Sequence, residues 1–207
     1  MPNALAPRLL LLDFDGVLAN YHRPRRLAQL ADHAGCTPAQ VHGALFESGL
    51  ETAYDAGQIG TDAYLQALGQ AIGRPLDAAI WKAARLAACR PQAGVIARVA
   101  AIARHTAIAI LTNNGALMAE VIPHLVPELL PKLQGRILCS GSLGGRKPQP
   151  EVFLKAAAQL DTDPRHTLFV DDLFVNVRGA RAVGMQAETV HDSRSMGAAL
   201  KRHRLLA

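Results

Sequence analysis

Two carboxylates stand at the end of a short apolar run near the start of the chain. The segment RLLLLDFDGV places Asp13 and Asp15 two residues apart, directly before Gly16. Residues i and i+2 of an extended chain point to the same side, so both carboxylates can face one pocket, where paired acids can hold a metal ion or move protons. Gly16 permits the turn that must follow. An Asp-Gly loop with one helix cap and one solvated charge explains the same residues, so this motif alone does not decide.

Two further apolar runs also end in polar residues. The segment AIAILTNNG ends in Thr112, Asn113 and Asn114, and the segment TLFVDDLFVN contains Asp171 and Asp172. Each of these groups alone is typical of a turn that caps a helix. In a parallel sheet, however, the carboxyl ends of the strands meet at one edge, where ligands bind. The three segments together therefore predict a site at that edge.

Four aspartates gathered in one cleft would repel each other strongly. Two unit charges a few ångströms apart interact by about 4 kcal/mol at an effective dielectric constant near 20. Several such pairs among Asp13, Asp15, Asp171 and Asp172 would rival the roughly 5–15 kcal/mol net stability of a domain. Some of these carboxyl groups must then be protonated, or cations must lie among them. Carboxylate and backbone carbonyl oxygens suit Mg²⁺, which also binds substrate phosphate.

Lys147 is a candidate for a second cation in the same cleft. It precedes Pro148 and a predicted helix in the segment GGRKPQPEVF, after the third predicted strand of the sheet. A lysine in a loop is ordinarily exposed. Its position after a strand of the sheet favours a place in the pocket.

The elements that must position these residues alternate between strands and helices. Short apolar runs bounded by turn residues are typical of strands buried on both faces, and they occur at residues 9–12, 107–111, 136–140, 168–170 and 186–190. Apolar residues at helical spacing predict helices over residues 93–104, 115–125, 150–160 and 173–183. This alternation predicts an α/β fold, with a Rossmann-like parallel sheet and flanking helices.

A long helical block interrupts this alternation. Between residues 17 and 90 no strand is predicted, and helices are predicted over residues 27–34, 38–48, 61–72 and 77–89. We therefore predict a core domain of residues 1–17 and 91–207, with an inserted helical cap domain of residues 18–90.

Composition and charge limit the classes of function. The chain has 207 residues, of which 50% are hydrophobic, and a formal net charge of +5. No apolar run approaches the roughly 20 residues of a membrane span, and the first run ends too soon for a signal peptide, so we expect a cytoplasmic protein without a membrane partner. The basic clusters at Arg23, Arg25 and Arg26 and at residues 201–204 are interpreted as solvated helix faces. Nucleic acid is not an expected partner because few aromatic residues are available for base stacking.

Four segments, taken together, match the motifs of a known family. DFDGV, LTNN, GGRKPQPEVF and FVDDLFVNVRGA occur in this order and at fitting intervals, and the sequence thereby resembles the haloacid dehalogenase-like (HAD) superfamily. The helical block resembles its small helical cap, and ETAYDAGQIGTDAYLQAL resembles the cap segment of its small sugar-phosphate phosphatases. The resemblance implies a Mg²⁺-dependent phosphatase that hydrolyses a small organic phosphomonoester through a phospho-aspartate intermediate.

The resemblance also implies a catalytic role for several motif residues. Asp13 would be the nucleophile that attacks phosphorus. Asp15 would protonate the leaving oxygen and later accept a proton from the attacking water. Thr112 and Asn113 would bind the phosphoryl oxygens, and Lys147 would neutralise both the nucleophile and the phosphate.

A metal site is implied in the same way. Mg²⁺ would be held by the carboxylate of Asp13, the backbone carbonyl of Asp15 and the carboxylate of Asp172. Asp171 would act nearby, and Asn176 would orient the loop of the last motif.

Three alternatives stay open at this point. A sugar phosphomutase on the same scaffold would return the phosphate to another hydroxyl, although the linker LANYHRPRR lacks the threonine-aspartate pair associated with such enzymes. A dehalogenase needs neither a second aspartate nor a metal, so Asp15 disfavours it. A non-catalytic HAD-like binding protein would keep the fold without turnover, and the intact set of acids and lysine disfavours that alternative.

The sequence identifies neither the phosphorylated substrate nor the oligomeric state. A small phosphorylated metabolite is the expected partner, and the cap would select its leaving group. The pattern around Trp81 is typical of core packing. The residues of the cap that are candidates for contacting the substrate are His22, Arg23, Arg25, Glu47, Tyr54 and Trp81.

Overall fold

The computed structural model describes residues 6–206 of the chain. The strands in this range are β1 (Leu9–Leu12), β2 (Ala19–Tyr21), β3 (Cys89–Pro91), β4 (Ala107–Thr112), β5 (Ile137–Cys139), β6 (Thr167–Asp171) and β7 (Gln186–Thr189). The helices are α1 (Arg23–Ala34), α2 (Pro38–His42), α3 (Leu50–Asp55), α4 (Thr61–Ile72), α5 (Ala78–Ala88), α6 (Ala93–Ile102), α7 (Met118–Leu125), α8 (Ser140–Leu143), α9 (Pro150–Gln159), α10 (Phe174–Ala182) and α11 (Ser193–Arg202).

The four leucines of β1 form the centre of a parallel sheet with the strand order β5-β4-β1-β6-β7. Side chains alternate between the two faces of a strand, so a run of apolar residues fills both faces. Leu10 and Leu12 pack in the larger core cluster with helices α6, α7 and α11, while Leu9 and Leu11 pack in a second cluster with α9 and α10. The predicted α/β fold, with a parallel sheet and flanking helices, is confirmed.

The predicted strands differ from the observed ones by at most one residue at each end. β4 extends one residue further than predicted, to Thr112, and β6 extends to Asp171. Both polar residues still lie in the ladder, because Thr112 is paired with Cys139 and Asp171 with Thr189. The sheet itself therefore fixes the backbone of two candidate site residues.

A helical insertion, which we define as residues 22–88, separates β2 from β3. The prediction that residues 17–90 contain no strand is wrong, since β2 pairs antiparallel with β3 where the chain enters and leaves the insertion. Each strand has only three residues, which is too short for a recognisable alternation, and the partners lie about 70 positions apart in sequence. The predicted domain boundaries fall at this ribbon and remain a prediction.

Charged side chains lie inside the helical insertion. The prediction of a solvated basic face on α1 holds for Arg23 and Arg25, which are exposed, but is wrong for Arg26, which is 1% exposed. Arg26 lies beside Leu27 on the face of α1 that packs inward. Its guanidinium forms a buried ion pair with Glu51 of α3. Trp81 is buried as predicted.

Within residues 6–206, no helix combines the length and the apolar character that crossing a lipid bilayer requires.

Candidate active site

The candidate site lies at the carboxyl edge of the sheet, where β1, β4 and β6 end side by side. Asp13 directly follows β1, and its N–H donates to the carbonyl of Val170 over 2.9 Å, which holds it in line with the sheet. Thr112 and Asp171 are the last residues of β4 and β6. The structure thus brings together the ends of three apolar runs that were singled out from the sequence.

Lys147 joins two of the aspartates. Its Nζ lies 2.9 Å from Oδ1 of Asp13 and 2.7 Å from Oδ2 of Asp171, and the side chain is inaccessible to solvent. The side chain of Asn113 accepts a hydrogen bond from the Lys147 N–H over 2.8 Å and donates to its carbonyl over 2.9 Å. Asn113 therefore fixes the backbone that delivers the ammonium group.

Asp171 is fully buried and saturated with donors. Besides Lys147, its carboxylate accepts hydrogen bonds from the side chain of Asn176, over 3.0 Å at each oxygen, and from the N–H of Leu173 over 2.8 Å. These contacts hold the loop that follows β6. They also give Asn176 the loop-orienting contact that the resemblance implied.

Three carboxylates converge beside Lys147. Oxygen atoms of Asp13, Asp171 and Asp172 lie within 4.8 Å of one another. Burial raises the pKa of Asp13 to about 8, with Lys147 opposing the shift and the charge of Asp171 adding to it. Burial, reinforced by the charge of Asp171, also raises the pKa of Asp172. If all three carboxyl groups were ionised, the single ammonium group would leave two negative charges in excess, and this all-oxygen donor set fits a hard divalent cation such as Mg²⁺.

Gly16 permits the close approach of two loops at this point. Its φ of 90° lies in the left-handed region that favours glycine. A Cβ atom at this position would also overlap the carboxylate of Asp172. A glycine here is therefore needed both for the turn after Asp15 and for the position of Asp172.

The side chain of Asp15 points away from the three carboxylates. Its Oδ2 accepts hydrogen bonds from Nη2 of Arg85 over 2.8 Å and from Nδ2 of Asn114 over 3.1 Å. Its Oδ1 is buried and has no hydrogen-bond partner among residues 6–206. The carboxylate of Asp15 is thus separate from the candidate metal cluster, and the predicted ligand, its backbone carbonyl, stays a prediction.

Thr112 and Asn113 were predicted to bind phosphoryl oxygens. Thr112 is buried, and its Oγ1 accepts a hydrogen bond from Nδ2 of Asn114 over 2.8 Å. The amide of Asn113 is engaged by the backbone of Lys147, as described above. Both residues lie at the carboxyl edge of the sheet, as predicted. Their phosphate-binding role stays a prediction.

The helical insertion packs directly on this edge. The hydroxyl of Tyr54 accepts a hydrogen bond from the N–H of Leu117 over 3.1 Å, and Oγ of Ser140 donates to the carbonyl of Asp55 over 2.6 Å. A Cβ atom on Gly115 would overlap the ring of Tyr54. Tyr54, one of the predicted substrate-contacting candidates, therefore joins the insertion to the sheet.

Arg85 is the residue of the site that sequence reasoning missed. It comes from α5 of the insertion, and its side chain is 2% exposed. One signal was available: Arg85 follows Trp81 at the four-residue spacing of one helix face, so an arginine on the apolar face of α5 required a buried partner. The identity of that partner, Asp15, lies 70 positions away and could not be read from the pattern.

Comparison with solved structures gives several folds similar to this one. A HAD family enzyme from Bacteroides thetaiotaomicron, in complex with magnesium and inorganic phosphate, superposes with a TM-score of 0.72 at 18% identity, over 88% of this chain and 93% of its own. A predicted HAD-like family hydrolase from Porphyromonas gingivalis gives 0.76 at 20% identity, over 96% and 98%. A 2-haloacid dehalogenase from Pseudomonas syringae gives 0.67 at 17% identity, over 95% and 99%. At these identities the likeness concerns the fold.

A search of curated proteins finds no significant match. The sequence nevertheless matches the haloacid dehalogenase-like hydrolase family over residues 7–184, which covers the helical insertion, all four motifs and the strands of the sheet up to β6. The chain therefore belongs to the haloacid dehalogenase-like hydrolases and is an enzyme of that family.

Proposed function

We propose that the protein is a Mg²⁺-dependent phosphatase that hydrolyses a small organic phosphomonoester through a phospho-aspartate intermediate. The observation that carries this proposal is the different surroundings of two carboxylates, Asp13 and Asp15. Asp13 lies in a cluster of three carboxylates around Lys147, while Asp15 lies outside that cluster, and its Oδ1 has no hydrogen-bond partner among residues 6–206. A nucleophile that needs cations and a nearby proton-transferring acid are what phosphoryl transfer to a carboxylate requires.

The first half-reaction transfers the phosphoryl group to the enzyme. Oδ of Asp13 attacks phosphorus, and the bond from phosphorus to the leaving oxygen breaks as Asp15 gives that oxygen a proton. Lys147 reduces the repulsion between the carboxylate and the phosphate dianion, because its ammonium group lies 2.9 Å from Asp13. Thr112 and Asn113 bind the phosphoryl oxygens in this proposal.

The second half-reaction returns the enzyme to its starting state. Asp15, now ionised, takes a proton from a water molecule that attacks the phospho-aspartate, and inorganic phosphate leaves. Covalent catalysis of this kind splits one difficult displacement into two easier ones.

Asp13, Asp172 and the backbone carbonyl of Asp15 would hold the metal, with Asp171 beside them and bound to Lys147. When bound, Mg²⁺ supplies positive charge that stabilises the transferring phosphoryl group. The magnesium and phosphate complex of the Bacteroides relative supports this part of the proposal.

The helical insertion acts as a cap in this proposal. Residues 18–90 would form the cap domain over a core of residues 1–17 and 91–207, and the cap would select a small phosphorylated metabolite by its leaving group. The packing of Tyr54 and Asp55 on the edge of the sheet supports a covering role.

Dehalogenation is the competing activity, because some structural neighbours are 2-haloacid dehalogenases. A dehalogenase needs neither the surplus negative charge of the cluster nor a second carboxylate, so Asp15 and Asp172 favour the phosphatase. The test is parallel assay of the purified protein: phosphate release from a panel of phosphomonoesters with Mg²⁺ or with EDTA, and chloride release from 2-chloropropanoate. We expect phosphate release that EDTA abolishes. Chloride release without metal, with no phosphate release, would overturn the proposal.

A further inference from the structure

Arg85 ties the helical insertion to three groups at the edge of the sheet. Its Nη2 donates to Oδ2 of Asp15 over 2.8 Å and to Oδ1 of Asn114 over 3.2 Å, and it lies 3.3 Å from Sδ of Met118. On the other side, its guanidinium lies 4.3 Å from the ring centroid of Tyr21, which belongs to β2. The side chain is therefore fixed from both sides.

The two oxygens of Asp15 have opposite surroundings. Both donors, Arg85 and Asn114, bind Oδ2. Oδ1 is buried and has no partner among the described residues. Two donors on one oxygen restrict the rotation of the carboxylate, so the direction in which Oδ1 points is restricted as well.

We propose that Arg85 is the positioning residue for the proton transfer by Asp15, an inference that rests on the proposed phosphatase function. Arg85 and Asn114 hold Oδ2, and Oδ1 is the atom that carries the proton to the leaving oxygen. The proton leaves Oδ1 as the bond from phosphorus to the leaving oxygen breaks, and the carboxylate remains as the base for the second half-reaction. Because Arg85 belongs to α5, one of the two donors to Oδ2 is present only while the insertion is docked on the sheet.

This proposal predicts a loss of rate that depends on the leaving group. A proton-transferring group must lie within hydrogen-bond reach of the atom it serves, and a misplacement of about 1 Å can cost about 10²-fold in rate. A weakly acidic phenol leaves poorly without a proton, whereas 4-nitrophenolate leaves readily as the anion. Loss of Arg85 therefore slows phosphoryl transfer to the enzyme more for the substrate with the poorer leaving group.

The experiment compares phenyl phosphate with 4-nitrophenyl phosphate, two substrates of similar shape. For Arg85→Met we expect kcat/KM, which reports phosphoryl transfer to the enzyme and not hydrolysis of the shared intermediate, to fall about 10²-fold with phenyl phosphate and less than about tenfold with 4-nitrophenyl phosphate. Arg85→Lys keeps a charge beside Asp15 but loses the planar guanidinium, whose Nη2 reaches both Asp15 and Asn114 and whose Nε lies 3.4 Å from Sδ of Met118, so we expect a smaller loss with the same preference. If Arg85→Met does not fold, as judged by circular dichroism, Arg85→Lys alone decides the question.

Lys82→Met provides the matched control. Lys82 lies on the same helix and also joins the insertion to the sheet domain, through an exposed ion pair of 2.8 Å with Glu120, but it does not touch Asp15. We expect this variant to change kcat/KM by less than about twofold with both substrates. An equal loss of kcat/KM with both substrates in the Arg85 variants would overturn the proposal. A leaving-group preference in Lys82→Met would overturn it too. Failure of the wild type to release phosphate from either substrate would instead refute the proposed function.

Discussion

Two buried charged clusters lie in different parts of this molecule, and only one of them is balanced. The insertion cluster consists of Arg26, Glu51, Tyr64 and Trp81, and the core cluster consists of Asp13, Asp171, Asp172 and Lys147. In the insertion cluster one guanidinium faces one carboxylate, so the charges cancel. In the core cluster one ammonium faces three carboxylates.

The insertion cluster is also nearly saturated with hydrogen bonds. The hydroxyl of Tyr64 donates to Glu51 over 2.6 Å and accepts from Arg26 and Trp81 over 3.0 Å each. Although burial opposes it, Arg26 lowers the pKa of Glu51. This balanced cluster, in which Nε of Arg26 has no hydrogen-bond partner among residues 6–206, joins helices α1, α3, α4 and α5. The comparison teaches that burial of charge is not by itself a sign of function, whereas a surplus of one sign is.

The largest effect is expected from Asp13→Asn, which removes the proposed nucleophile from the unbalanced cluster. Phosphate release should fall by about 10⁴-fold or more, because removing one member of a group of catalytic residues that act together costs nearly as much rate as removing all of them. The unfolding free energy should not fall, since the change relieves repulsion among the carboxylates. Asp32→Asn, at an exposed position on α1, is the control and should leave activity unchanged. Activity retained in Asp13→Asn would contradict the proposed function.

Breaking the balanced cluster should instead cost stability. Arg26→Met leaves the carboxylate of Glu51 buried without its partner, which typically costs about 3–5 kcal/mol of unfolding free energy. Chemical denaturation measures this loss. Arg25→Met, on the exposed face of the same helix, should change the unfolding free energy by less than about 0.5 kcal/mol. Similar small changes in both variants would mean that the insertion cluster does not stabilise the fold.

The difference in predictability between the clusters has a physical cause. Asp13 directly follows β1, Asp171 ends β6, and Lys147 lies in the loop beyond β5 and α8. The carboxyl ends of parallel strands meet at one edge of the sheet. The apolar runs in the sequence were therefore enough to predict that these three residues lie close together. The partners of Arg26 and Arg85 are set by the packing of helices far apart in sequence, so these two arginines could not be assigned to Glu51 and Asp15 beforehand.

The same reason explains the elements that were missed. The three residues of β2 find their partner only through the closure of the whole insertion. Helix α3 has six residues, too few for a clear period. By contrast, α4 shows two full turns of apolar periodicity, and its predicted bounds of 61–72 agree with the structure.

Asp55, the last residue of α3, offers a smaller test of how burial affects a charged group in the insertion. Burial raises the pKa of its carboxyl to about 7, with the charge of Glu51 adding to the shift and Arg146 opposing it. The native protein thus keeps this proton up to about pH 7, whereas the unfolded chain loses it near its ordinary value of 3.8. The stabilising contribution is complete below about pH 4 and is lost as the pH rises to about 7.

Asp55→Asn removes this titration while keeping a neutral side chain of the same shape. Relative to the variant, the wild type should lose about 1 kcal/mol of unfolding free energy for each pH unit between about 4 and 7. Denaturation curves at several pH values measure the difference. Parallel pH profiles for the two proteins would show that Asp55 is already ionised in the folded state.

The most direct test of the account is calorimetric titration of Mg²⁺ into the metal-free protein and three variants. The central claim is that a divalent cation completes the core cluster, so we predict one Mg²⁺ per chain in the wild type, and binding abolished in Asp172→Asn. Arg26→Met, which alters only the balanced cluster, should bind Mg²⁺ as the wild type does, and so should Asp32→Asn. Undiminished binding in Asp172→Asn, or no binding in the wild type, would contradict the claim.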